Sequence, residues 1–163
     1  MKKKLCFILL GICTMLGCTH TYRLYPVKGP LATQTPSLVL FAKVTGVEGT
    51  AGTKSGSVSV VLNDGEVCNG RWISVSRVKV PKDATAANTP ATNDMLSVWD
   101  TVYGSGFYVS HIVGGGGFYA QAVVPGNRGT VLNLEIYGIG THAQNGPIGV
   151  AKDNKGNIYK LVW

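Results

Sequence analysis

A mainly β fold, a small antiparallel sandwich or partly closed barrel with one short α-helix, is what this sequence predicts. Three observations carry that expectation. Apolar residues alternate at period two in several short runs, Asn, Asp and Gly cluster between those runs, and one stretch switches to the helical period.

The first run starts at Leu38, where Leu38, Leu40, Ala42 and Val44 interleave with Val39, Phe41 and Lys43. It reads as a strand buried on both faces. Val58, Val60 and Leu62 then share one face while Ser57 and Ser59 share the other, and Asn63-Asp64-Gly65 supplies a hairpin turn. Asn69-Gly70 offers a second turn, followed by a strand over Arg71 to Val80. The segment Pro81 to Asp94 is polar, small and aperiodic, as surface loops are. Met95, Leu96, Trp99, Val102 and Tyr103 fall at helical spacing, with Asn93 placed to cap the start and Gly104 to end the helix.

GFYVSHIV (106–113) and GFYAQAVV (117–124) repeat Gly, Phe, Tyr and the final Val. Both are rich in aromatic and β-branched residues, so two similar strands are expected, with Gly114 to Gly117 as the turn between them. A phosphate-cradling loop would need Lys and a hydroxyl residue after its last glycine and a helix beyond; Phe118 and Tyr119 stand there instead. The dinucleotide fingerprint also fails, because Val109 occupies the place of its third glycine. In RGTVLNLEIYG, Leu132, Leu134 and Ile136 form a core face, and Asn133 and Glu135 a solvent face. PIGVAKDNKGNIYKLVW reads as strand, turn and strand, with Gly156 at the turn.

That last hairpin resembles one strand pair of an NHL-type β-propeller blade, in which GVAxDxxGNIY-like phrases recur. A propeller needs several copies at a period of ~40 residues. One copy implies shared hairpin chemistry alone. The ending Tyr159, Leu161, Trp163 resembles the closing strand of outer-membrane β-barrels, which would place the domain itself in lipid. Such a barrel requires eight apolar-faced segments of ~10 residues. The sequence offers about seven shorter ones, interrupted by a polar loop and a helix, and the expectation is a domain that needs no detergent.

Ahead of the domain, Lys2, Lys3 and Lys4 precede an apolar run from Leu5 to Leu16, closed by Gly17 and Cys18. This is the layout of an export signal. About 12 apolar residues make ~18 Å of helix, short of the ~20 residues that span a bilayer. Met15-Leu16-Gly17-Cys18 resembles the lipobox of bacterial lipoproteins, although the family usually has Leu where Met15 stands and a small residue where Leu16 stands. The resemblance implies a signal peptide over residues 1–17, a lipidated Cys18 as the first mature residue, and the membrane as a partner through that lipid. It also implies residence in the cell envelope, and Thr19, where Asp would retain the protein at the inner membrane, implies the outer membrane facing the periplasm. Pro26, Pro30 and Pro36 with scattered Thr and Gln read residues 18–37 as the lipidated cysteine and an extended tether, and residues 38–163 as one β-rich domain.

Of the four cysteines, Cys6 and Cys13 leave with the leader and Cys18 carries lipid, so Cys68 stands alone and no internal disulfide is expected. Its simplest role is that of a small buried hydrophobe. Of the 15 Lys and Arg three lie in the leader, so twelve face 8 Asp and Glu for a net charge of +4. A modest positive balance suits an anionic envelope component or a protein partner. A nucleic-acid partner is not expected, since no basic run or RNA-binding signature follows the leader.

Aromatic residues beside a glycine run can form a groove, and Tyr108, Tyr119 and His111 are the candidate binding residues, the two tyrosines lying on the alternate face from Phe107 and Phe118. Those two Phe, with Trp72 and Trp99, are expected in the core. No catalytic residue, cofactor or metal is predicted. His20, His111 and His142 lack ligand spacing, Ser110 or Cys68 would have His111 alone as a base, and Asp64 and Glu66 read as a turn residue and its solvated neighbour. The expected role is a non-enzymatic interaction or structural module of the envelope. The alternatives are a protein like the small lysozyme-inhibiting lipoproteins and, third, an envelope hydrolase acting on glycan or peptide.

Overall fold

A computed structural model describes residues 19–48, 54–75, 94–114, 118–138 and 146–163, without the side chains of residues 47, 48 and 118. Eight strands form a single sheet: β1 (Thr19–Lys28), β2 (Leu40–Glu48), β3 (Lys54–Val61), β4 (Val67–Ser74), β5 (Phe118–Pro125), β6 (Val131–Gly138), β7 (Ile148–Asp153) and β8 (Ile158–Val162). Each is antiparallel to the next, and β8 pairs back to β1 through Leu161–Leu24 and Tyr159–Pro26, so the sheet closes into a barrel. Of the two β architectures the sequence allowed, the barrel is the one formed, and its closure is complete. Closure removes both sheet edges.

Eight strands leave an interior just wide enough for side chains to fill. The alternate positions of every strand supply them: Leu24, Ala42, Val60, Cys68, Trp72, Ala122, Leu134, Ala151, Tyr159 and Leu161 belong to one buried apolar cluster. Cys68 and Trp72 lie there as expected. Gly70, between them on the inward face, is required by close approach, because a Cβ there would sit 2.3 Å from the Val123 carbonyl oxygen. The turn expected at Asn69-Gly70 is therefore absent, and β4 runs straight through it.

Two other expectations are corrected. Thr19–Lys28 is not tether: Tyr22 and Leu24 are buried inside the barrel, and Leu24 pairs with Leu40 on one side and Leu161 on the other. Pro26 misled the reading, since proline within a strand usually marks an edge or irregularity; here it adjoins a register shift in the β1–β8 pairing. GFYVSHIV is not a strand either. Tyr108–Val113 form a π-helical segment that follows the predicted helix, α1 (Asp94–Tyr103), while Phe118–Pro125 is the expected strand. With β4 already paired to β5, a strand at 106–113 has no ladder to join. Gly104, at φ +106°, ends α1 as the sequence indicated. Of the four-glycine run, residues 115–117 lie outside the described residues.

The outer wall bears on the likeness to membrane barrels. Tyr159 and Leu161 point inward and are fully buried, whereas Arg23, Lys43 and Arg71 project outward from mid-strand. A lipid-spanning barrel has the reverse polarity, and each such cation at the bilayer midplane would cost ~2–4 kcal/mol. Among the described residues no helix is long and apolar enough to cross a membrane.

The two ends of the barrel differ. At one, tight turns at Asn63–Gly65, Asn127–Gly129 and Asn154–Gly156 join the strands. The buried Glu66 carboxylate clasps them: Thr130 Oγ1 donates to it at 2.5 Å, the Thr130 and Arg128 amides at 2.9 Å each, and Lys155 Nζ approaches to 3.5 Å. At the other end, the rim, β1 begins, and the long β4–β5 connection carries α1.

Candidate functional site

The α1 side of the outer wall carries both the aromatic residues singled out in the sequence and an open cleft. Helix α1 and the π-helical segment cover the outward face of β5–β7, and Met95, Val98, Trp99, Tyr108, Ile112, Tyr119, Tyr137 and Val150 make a second buried cluster there. Of the three candidate binding residues, Tyr108 and Tyr119 are only 7% and 6% exposed and belong to this cluster. Their expected exposure is thus corrected: the helical segments cover the outward face of β5 on which Tyr119 stands, and Tyr108, on the π-helical segment itself, turns into the same cluster. His111 is exposed.

His111 borders a cluster of three mutually packed rings, in which Trp99 also stacks on Phe107 at 5.8 Å. Trp99 stacks on Tyr103 at 5.5 Å, Tyr103 on Phe107 at 4.7 Å, and Phe107 on His111 at 4.3 Å between centroids. Asp100 ties the second helical segment to the first by accepting hydrogen bonds from the Gly106 and Tyr108 amides. The spacing of four residues from Trp99 to His111 was the signal available in sequence, hidden by Gly104 and Gly106. Lys160 Nζ lies 5.2 Å from the Tyr103 ring, a cation–π contact to the same cluster. Ser110 Oγ lies 2.8 Å from both the Gly106 carbonyl oxygen and His111 Nδ1, which ties the hydroxyl into its own helical turn.

Beside the N-terminus of α1 lies a cleft of about 560 Å³. Its floor is the outward face of β4–β6, where Arg71, Gln121 and Asn133 supply polar groups and Ile73 and Val123 an apolar strip, 51% and 60% exposed. Lys152 and Asp94 form an ion pair on its wall. Glu135 closes its deep end. The sequence placed Glu135 on a solvent face; it is 2% exposed, because α1 lies over that end of β6. Trp99 Nε1 donates to its Oε2 at 2.6 Å and Gln121 Nε2 to its Oε1 at 2.9 Å.

The two buried glutamates titrate in opposite directions. Burial drives the Glu135 carboxyl above its ordinary value, against the hydrogen bonds from Tyr119, Trp99 and Gln121. In Glu66 the Thr130 hydroxyl outweighs burial, and with the Thr130 and Arg128 amides and the Lys155 charge it holds the carboxyl down at about 2. The sequence reading of Glu66 as solvated is corrected: the β5–β6 turn folds over it. Asp64 is a turn residue as read, accepting from the Glu66 amide and pairing with Arg128.

A carboxylate with a depressed folded value stabilises the fold above its unfolded value and loses that contribution as pH falls, so the window for Glu66 runs from 4.5 down to about 2. Glu66→Gln is expected to lower the melting temperature at neutral pH and to flatten the acid limb across that window; an unchanged acid limb in thermal scans would remove Glu66 as its source. For Glu135 the sign reverses, because stability declines as pH rises through its elevated value. Glu135→Gln should therefore leave stability at about pH 8 equal to or above that of the parent. A clear loss there would mean that the ionised carboxylate stabilises the fold.

Among the described residues no cluster of His, Cys, Asp and Glu could hold a metal ion. Cys68 is buried, and burial, reinforced by the nearby Glu66 charge, raises its thiol above the ordinary value. His20 lies in β1, 4.4 Å from the Trp163 ring, rather than in a tether, and Cys18 and His142 lie outside the described residues. Compared with protein-family models, curated proteins and solved structures, the chain matches none.

Proposed function

We propose that this chain is a lipid-anchored protein of a bacterial envelope, exported by residues 1–17 and held at the membrane through Cys18, whose barrel acts as a non-enzymatic interaction module. The single observation that supports the second half most is where free surface lies. The barrel interior is filled with apolar side chains, while the cleft on the outer wall leaves Arg71, Gln121, Asn133 and the Ile73–Val123 strip open to a partner. A cation beside amides and a shallow apolar strip suits an extended, anionic envelope polymer or peptide better than a small enclosed ligand. The lipobox-like Met15-Leu16-Gly17-Cys18 supports the first half.

Incubating the purified domain with peptidoglycan, with and without lysozyme, tests the reading. Capture of the domain by the polymer without cleavage is the expected result. Protection from lysozyme would instead favour an inhibitor, and released fragments a hydrolase. Arg71→Glu is expected to weaken capture about tenfold or more, since a hydrogen bond to a charged group contributes ~1.5–3 kcal/mol. Capture unaffected by this substitution would move the contact away from the cleft.

A further inference from the structure

We infer that the barrel stands directly on the membrane, with the rim that bears Thr19, His20 and Trp163 against the lipid headgroups and the tight turns around Glu66 pointing away. The inference rests on the proposal that Cys18 is lipidated, and adds to it an orientation and a contact surface.

β1 starts at Thr19, so one peptide unit, ~3.8 Å between consecutive Cα atoms, separates the proposed site of acylation from the barrel wall. Thr19 is in register with Thr45 of β2, and from His20 onward β1 is held by β2. The start of β1 is thus held within a few ångströms of the proposed anchor, which keeps this rim, rather than the tight turns, beside the membrane. A tether of twenty residues, as the sequence suggested, would have allowed any orientation.

The rim carries the side chain that such a contact would use. Trp163 is 48% exposed, with its ring 4.4 Å from His20 and edge-on to Tyr22 at 5.5 Å. Tryptophan is favoured at membrane–water interfaces, where an apolar ring and a polar N–H meet their two media. Trp72 and Trp99 are 7% and 0% exposed, so of the three tryptophans this one alone is displayed. The β2–β3 hairpin rises beyond Thr19 on the same rim: the ladder continues from Thr45–Ser57 to Glu48–Lys54, three residues further. At ~3.3 Å per residue that is about 10 Å along the strand, and less along the axis of a tilted barrel. The headgroup layer of one leaflet is about 5–8 Å deep. A domain anchored at Thr19 therefore brings the hairpin into that layer.

The test uses the full lipidated chain in vesicles of phosphatidylethanolamine and phosphatidylglycerol, with and without brominated acyl chains, which quench nearby indole emission. Quenching that disappears in Trp163→Phe is expected. A second variant inserts twenty Gly and Ser residues between Cys18 and Thr19, a flexible span of about 25 Å, and should lose most of the quenching while staying membrane-bound. Protein that carries fatty acid and floats with the vesicles, yet shows no quenching, would overturn the orientation and leave the anchor intact. Equal quenching with the inserted spacer would overturn attachment as its cause. Absence of fatty acid on the chain would remove the underlying proposal instead, and the orientation with it.

Discussion

Removing Leu161 to Trp163 is expected to unfold the barrel rather than shorten it. Leu161 is fully buried, pairs with Leu24 of β1 and Gly149 of β7, and belongs to the central cluster. Truncating one such side chain to alanine costs ~2–5 kcal/mol. The deletion does more, because it also strips β1 of its partners at Arg23 and Leu24, and so reopens a sheet whose stability depends on having no edge. Against a total of ~5–15 kcal/mol for a domain of this size, that loss leaves little folded protein. Urea denaturation followed by circular dichroism measures it, and a midpoint equal to that of the parent would show that closure by β8 contributes nothing. Leu161→Ala alone should lower the midpoint while retaining a cooperative transition.

Cys18→Ala is expected to abolish fatty-acid incorporation completely, since the thioether needs that thiol. Residues 19–163 behind a cleavable export signal should then be recovered in the periplasmic fraction without detergent, because the outward Arg23, Lys43 and Arg71 make burial of the wall in hydrocarbon costly. The parent should stay with membranes through a salt wash, since a single acyl chain binds only reversibly whereas two or more hold firmly. Fatty-acid label on the alanine variant, or a domain that folds only in micelles, would contradict the anchored reading.

Much of the fold was legible. The faces of Val58–Val60–Leu62 and Leu132–Leu134–Ile136, the Asp64 and Gly156 turns, and the helical run from Met95 to Tyr103 with its end at Gly104 all follow from period and capping, which are local properties. The candidate site was less so. His111 is exposed as required of a binding residue, but Tyr119 packs beneath the helical segments and Tyr108 turns inward from one of them, and Arg71 and Gln121 carried no signal as cleft residues. Alternation reports that a strand has two faces and cannot report what covers the outer one.

By itself, then, the sequence determined the β class, the inward faces of β3 and β6 and the place of α1, because each depends on neighbours within a few residues. The tertiary structure alone decided that Thr19–Lys28 closes the barrel, that GFYVSHIV is helical while GFYAQAVV is a strand, and that Glu66 and Glu135 are buried. Each of those outcomes turns on a partner distant in the chain: β8 for β1, the occupied β4–β5 ladder for residues 106–113, the β5–β6 turn for Glu66 and α1 for Glu135. Hydrogen-bond pairing and burial across such separations leave no periodic mark on the residues themselves.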